Sequence, residues 1–154
     1  MPVQKLKRFL DEAGVHYETL PHAEAFTAQE AAAAAHVRGR ELAKTVMVRI
    51  DGDMAMVVLP ATSKVSMDRV KQVTGADAAD LAEEAEFREL FPSCEPGAMP
   101  PFGNLWEIPV FVDRRLRDDE RIAFPAGTHH ELVRLAYSDY ERLVDPVVAE
   151  LATG

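Results

Sequence analysis

The sequence predicts one α+β domain over residues 1–154, and three observations predict it. The chain has 154 residues, 47% hydrophobic and 28% charged, enough to bury a real core and ordinary for a folded domain. Two apolar runs, Thr45–Ile50 and Met54–Leu59, flank Asp51-Gly52-Asp53, a good hairpin turn that requires antiparallel pairing. Helical and strand patterns alternate irregularly, with no repeat, linker or domain boundary, so the class is α+β rather than doubly wound.

Element by element, Val3, Leu6, Phe9 and Leu10 fall at helical spacing, and Gly14 closes that helix as its C-terminal cap. Val15–Leu20 reads as a strand ended by Pro21. Thr27-Ala28-Gln29-Glu30 has the form of a capping box and opens the helix-forming run Ala31–Ala35, which Gly39 stops. The two hairpin runs are apolar enough to be central strands. Lys64 or Ser66 begins a helix that ends at Gly75, and Ala78–Leu81 is a short strand. Glu83–Leu90 is a helix broken at Pro92. Pro92–Gly103 holds four prolines and two glycines and must be a loop, because proline lacks the N–H that a helix or central strand uses. Ile108–Val112 and Arg121–Phe124 read as strands, and Glu131–Ala136 reads as a third strand or a helical turn. Ser138–Leu143 is a last helix, with Ser138 as N-cap.

Composition narrows the function. No apolar run approaches the roughly 20 residues of a membrane span. The basic N-terminus lacks an apolar segment behind it, which argues against a secretory signal. A single cysteine, Cys94, allows no intrachain disulfide and fits a reducing cytoplasm. The net charge of −9 disfavours broad electrostatic binding of a duplex, and DNA in particular. It leaves room for a site that reads only the end of a nucleic acid. Arg38, Arg40, Lys44, Lys64, Arg69 and Lys71 are close in sequence and form either such a site or a plain solvated surface.

Nucleotide-cradle motifs are missing, as are paired C-x-x-C and H-E-x-x-H, so no metal or cofactor is expected. His129 and His130 are adjacent and on a strand would point to opposite faces. Cys94 lies beside Glu95, whose charge raises a thiol's pKa, so an incidental role is expected. Lys44, at the edge of an apolar strand, either points to solvent or faces a cleft with an anionic partner. The proline-glycine loop is either a structural turn or a backbone cradle. In the second case Gly97, Ala98 and Met99 offer N–H groups to a carbonyl or oxyanion, with Pro100 and Pro101 as a rigid wall.

Three segments together resemble one family: Glu41-Leu42-Ala43-Lys44-Thr45-Val46, Cys94-Glu95-Pro96-Gly97-Ala98-Met99-Pro100-Pro101-Phe102-Gly103, and Ala126-Gly127-Thr128-His129-His130-Glu131. The set is similar to the YbaK/EbsC family, which shares its fold with the editing insertion of bacterial prolyl-tRNA synthetase. The resemblance covers nearly the whole chain. It implies a mixed, partly barrel-like β-sheet wrapped by helices, and hydrolysis of the ester joining a wrong amino acid to the 3′ end of tRNA. Lys44 then faces the phosphate or ribose of the terminal adenosine, beside Thr45. Gly97 through Gly103, including Phe102, hold the aminoacyl group. Gly127, Thr128 and His129 line a small amino-acid pocket, with His130 the neighbouring choice. The family view adds a tRNA ribose hydroxyl that assists, which matches the absence of an obvious protein base.

The implied partners are the aminoacylated acceptor end of tRNA and an aminoacyl-tRNA synthetase, with no membrane. The implied substrate is a small alanyl, seryl, threonyl or cysteinyl ester, released without metal. Two other readings remain: a non-catalytic module that binds tRNA ends or a synthetase, and a regulator of the cell envelope.

Overall fold

The computed structural model describes residues 2–21, 41–90, 94, 98–127 and 131–153. The capping box at Thr27–Glu30, the alanine run and Gly39 lie outside the described residues, as do Gly97, Thr128, His129 and His130.

Helix α1 (Pro2–Glu12) leads into strand β1 (Tyr17–Pro21). Gly14 adopts φ +71° and donates to Asp11 O, while Val15 N–H reaches Leu10 O at 3.2 Å. This is the Schellman pattern, which uses the last carbonyls of a helix and brings Val15 onto Leu10. Strands β2 (Ala43–Ile50) and β3 (Asp53–Pro60) pair antiparallel from Ala43↔Pro60 to Ile50↔Asp53. Asp51 (φ +50°) and Gly52 (φ +87°) between them are both left-handed, as a two-residue type I′ turn requires. The Asp51 carboxylate also accepts the N–H groups of Asp77 and Ala78, which fixes the approach to β5 (Ala79–Leu81).

Between the hairpin and β5 lie β4 (Lys64–Val65) and helix α2 (Met67–Thr74). The Ser66 hydroxyl caps α2 by accepting Arg69 N–H, and Gly75 at φ +72° closes it. The helix expected over Glu83–Leu90 is one α turn, α3 (Glu84–Phe87), followed by a 3₁₀ turn, Arg88–Leu90. Glu84, Ala85, Glu86, Arg88, Glu89 and Leu90 are exposed, so these residues bury no face that would hold a longer helix. The next strand, β6 (Val110–Asp113), starts late. Pro109 has no N–H to give to the ladder, and its carbonyl accepts Met56 N–H. β7 (Arg121–Pro125), β8 (Glu131–Ala136) and helix α4 (Tyr137–Val144) follow. Ser138 is not the N-cap of α4. The helix starts directly off β8 with Ala136 at that position, and Tyr137 N–H donates to Glu120 O instead. Two unpredicted short strands, β9 (Val147–Ala149) and β10 (Ala152–Thr153), end the described chain.

The described strands form three sheets: β5-β2-β3-β6-β9, β1-β8-β7 and β10-β4. In the first, β3-β6 and β6-β9 are parallel and the rest antiparallel. The sheets are mixed and none closes, but an isolated parallel bridge, Leu42↔Ala123, ties the start of β2 to β7. The sheet is thus barrel-like only along this seam.

The five-stranded sheet is buried on both faces. Met47, Met56, Val58 and Val112 pack with α1, α4 and the β1-β8-β7 sheet, around Leu6, Leu10, Ile122, Phe124 and Tyr140. Val48, Ala55, Val57 and Leu59 pack on Val70 and Leu151. Two-sided burial explains why β3 is an unbroken apolar run rather than an alternating one. The fully buried Asp113 carboxylate accepts the N–H groups of Leu151 and Ala152, which seats the C-terminal segment.

Gly103 has the tightest surroundings: a Cβ there would lie 2.6 Å from Ile108 O and 2.7 Å from Val110 Cγ2. Gly103→Ala should destabilise the fold by about 1–3 kcal/mol. In a thermal melt that lowers the midpoint by about 2–4 °C per kcal/mol.

Candidate functional site

The proline-glycine loop is held from three directions. Gly127, at φ +108°, donates its N–H to Ala98 O at 2.8 Å. The loop and the Ala126-Gly127 segment, far apart in sequence, therefore touch through their backbones. The buried Tyr140 hydroxyl donates to Pro101 O at 2.7 Å. Phe102 N–H turns back onto Pro100 O, and Ile108 N–H meets Gly103 O.

The side chains of this loop belong to the core. Ala98, Met99 and Phe102 are buried, and so are Pro100, Pro101 and Gly103. The Phe102 ring packs edge-on against Phe9 and Tyr140, at 6.0 and 5.2 Å, and tilted on Phe124 at 5.4 Å. Each such pair adds about 0.5–1.5 kcal/mol beyond area burial. Phe102 is thus an anchor under the loop. Ala98 through Gly103 are buried as whole residues, backbone included. Among the described residues, the N–H groups of Ala98 and Met99 have no protein acceptor.

Lys44 and Thr45 stand at the start of β2, where the seam brings the strand beside β7. The outer edge of β2 is bridged to Ala123 at Leu42 and paired with Leu81 at Val48. Between these points it has no strand partner among the described residues. Alternation puts Thr45 on the face of Ala43 and Met47, which is the loop's face, and Lys44 on the opposite face with Val46 and Val48. The two side chains therefore leave the strand on opposite faces of the sheet. The Thr45 hydroxyl oxygen is buried with no hydrogen-bond partner among the described residues.

Lys44 is half-buried and forms no ion pair among the described residues. Burial, with the nearby Lys64 ammonium adding to it, lowers its pKa from the ordinary lysine value. Of the other cations grouped with it in the sequence, Arg69 reaches Glu150 at 3.7 Å and Lys71 reaches Asp68 at 3.7 Å, Lys64 is exposed, and Arg38 and Arg40 lie outside the described residues.

Cys94 packs against the core, and burial pushes its thiol up to about 11. At neutral pH its thiolate fraction is on the order of 10⁻⁴, which suits a filler rather than a nucleophile. Among the described residues no three His, Cys, Asp or Glu side chains gather as a metal-ligand set. No described helix is long and apolar enough to cross a membrane. Sequence reading missed Tyr140 as the loop's clamp, because nothing local links it to Pro101.

The aminoacyl-tRNA editing domain family matches residues 22–143 of this chain. The chain belongs to that family. Among its relatives, proline–tRNA ligases of Bacillus mycoides (strain KBAB4) and Bacillus cereus (strain G9842) are each 26% identical over 103 residues, covering 67% of this chain. The chain spans only 18% of the length of those ligases. The editing domain also superposes on a solved structure described as a candidate trans-editing enzyme for prolyl tRNA synthetase, with TM-score 0.84, 21% identity and coverage of 99% and 98% of the two chains. A hypothetical protein of known structure matches with TM-score 0.87 and 24% identity over 97% and 99%. At such identities these two likenesses establish the fold.

The lowered pKa of Lys44 carries a stability consequence. Its charged form is disfavoured in the folded state, so the cost is fully present below the folded pKa. It fades as pH rises from there toward 10.5, the ordinary value. Lys44→Met should therefore raise the melting temperature at pH 7 by a few degrees at most, given about 2–4 °C per kcal/mol. The gap to the native chain should narrow as the melts are moved toward pH 10.

Proposed function

We propose that this editing domain is a deacylase acting in trans on mischarged tRNA, and that it hydrolyses the ester of a small amino acid of the alanyl, seryl, threonyl or cysteinyl class. The observation that carries the reading is the loop's arrangement. Gly127 holds the Ala98 carbonyl, while among the described residues the Ala98 and Met99 N–H groups have no acceptor. Lys44 begins β2, the strand tied at Leu42 to β7 and so to the segment before Gly127, with no carboxylate partner among the described residues. The likeness to a candidate trans-editing enzyme supports action in trans, and the ligase relatives support a link to prolyl-tRNA synthetase.

In this reading Lys44 holds the terminal phosphate or ribose, and the loop backbone from Gly97 to Met99 polarises the ester carbonyl. Water attacks the carbonyl carbon, and the negative charge that develops on the carbonyl oxygen is met by amide N–H groups. Such donors contribute about 10²–10³ in rate when placed in advance. The ester C–O bond then breaks, the ribose oxygen takes the proton lost by water, and the free amino acid leaves. The neighbouring ribose hydroxyl is the assisting group, so no protein base is needed. Thr45, Pro100, Pro101, Phe102, Gly103, Gly127, Thr128 and His129 shape the pocket, with Phe102 acting from beneath. A pocket discriminates by size at about 1–3 kcal/mol per methylene, so it rejects larger residues more easily than smaller ones.

Deacylation of a panel of charged tRNAs by the chain alone tests this proposal. Small mischarged species should lose their amino acid at rates unaffected by a chelator. Lys44→Ala should lower the rate at least about 100-fold with the melting transition retained, and full activity in that variant would overturn the mechanism. Cys94→Ser should keep native activity. If no charged tRNA is hydrolysed but RNA still binds, the chain is a binding module instead.

A further inference from the structure

The cations around Lys64 are more numerous than the carboxylates that could neutralise them. β4 pairs with β10, Lys64 opposite Thr153, so the Lys64 backbone is fixed. The turn before it is equally tied: Ala61 N–H donates to Leu42 O at 2.8 Å, which joins the exit of β3 to the entrance of β2. Lys44, two residues past Leu42, pairs with Leu59, one residue before Pro60. Both lysines thus project from one short, doubly tied corner. Next to Lys64, Arg115 donates to the buried Ser63 hydroxyl at 2.9 Å and approaches Asp113. On the other side Glu150 is shared between Arg69 and Arg114. Among the described residues named here, Lys44, Lys64, Arg69, Arg114 and Arg115 stand against Asp113 and Glu150, and the Asp113 carboxylate is already occupied by backbone N–H groups. In a chain of net charge −9, this is a cationic corner.

We propose that Lys64 and Lys44 form a two-ammonium clamp for a phosphodiester near the 3′ end of the RNA substrate, with Lys64 the positioning residue of the pair. The inference rests on the deacylase reading for its substrate class. Two ammonium groups facing each other across a half-buried corner repel, and Lys64 lowers the pKa of Lys44 in addition to the effect of burial. A phosphate seated between them removes that repulsion, so the corner suits an anion. Lys64 itself is exposed and gives the clamp its outer arm. Lys44 is its inner arm. The aminoacyl end then runs from the clamp toward the loop, and the preceding nucleotides run over β4 toward Arg114.

The test uses two probes: an RNA minihelix carrying alanine through a stable 3′ amide, and the alanyl ester of adenosine, which has no phosphate. Lys64→Ala should weaken minihelix binding about 5–10-fold at low salt and reduce the slope of log Kd against log salt by about one. It should leave hydrolysis of alanyl-adenosine within about twofold. Lys64→Arg should restore most of the binding, and Lys71→Ala, on the paired outer face of α2, should change neither. An unchanged salt slope in Lys64→Ala overturns the clamp even if the native chain deacylates tRNA. An equal loss on the phosphate-free ester also overturns it, because Lys64 would then act through the fold. A native chain that binds the minihelix with a Lys64-dependent slope but hydrolyses no ester sinks the deacylase reading and keeps the clamp. Failure of the native chain to bind the minihelix removes the clamp outright.

Discussion

A loop built from prolines and glycines has few N–H groups of its own, so its carbonyls must find donors elsewhere. Here the decisive donor is the Tyr140 hydroxyl, fully buried on α4 and 2.7 Å from Pro101 O. The bond is backed by the Phe102 ring, wedged among Phe9, Phe124 and Tyr140. A buried hydroxyl without its acceptor costs about 1–3 kcal/mol. Burial, with Tyr137 adding to it, pushes its pKa well above the ordinary tyrosine value, so the proton stays in place as donor. The site described above depends on this clamp. With Pro101 and Phe102 fixed, Gly103 fits under Ile108 O, Ala98 meets Gly127, and the amides of Ala98 and Met99 have no acceptor among the described residues.

The second constraint is the two-sided burial of the β2-β3 hairpin. It holds Lys44 and Thr45 in place, since they sit on a strand whose later residues are buried on either face. It also makes Lys44 expensive to hold, because an ammonium half removed from water beside another ammonium opposes folding. A destabilised, unpaired charge in a rigid setting is a common property of binding sites. The same logic applies to the Thr45 hydroxyl, buried with no hydrogen-bond partner among the described residues.

Much of the scaffold was legible in the chain because local chemistry specified it. Asp51-Gly52 accepts two left-handed residues, Ser66 and Gly75 bracket α2, and Gly14 ends α1. Prolines forbade regular structure before Gly103. Elements that depend on distant partners were not legible. α4 begins one residue before Ser138 because Glu120 O takes the Tyr137 N–H. The helix after Glu83 stays short because Glu84, Ala85, Glu86, Arg88, Glu89 and Leu90 are all exposed. β9 and β10 are too brief to carry a periodic signal, and β10 is seated by Asp113, some 40 residues away.

The candidate site divides in the same way. The strings around Lys44, Gly97–Gly103 and Gly127 were enough to mark the family, because each contains residue types with few alternatives: glycine for close approach, proline for a fixed backbone, lysine in an apolar strand. Their physical division of labour came only from the tertiary structure. Alternation along β2 sends Lys44 and Thr45 to opposite faces of the sheet, and the bridge at Leu42 and Ala123 ties the start of that strand to β7, whose following Gly127 meets the loop. Phe102 looked like a pocket residue in the linear motif and lies beneath the loop in the fold. Lys64, one of several basic residues in the chain, gains its meaning from the corner that sets it against Lys44. By itself, the sequence determined which backbone shapes were allowed and which family the motifs mark. The tertiary structure decided which charges go unpaired and which amides go unused, because pairing is a property of neighbours in space and not along the chain.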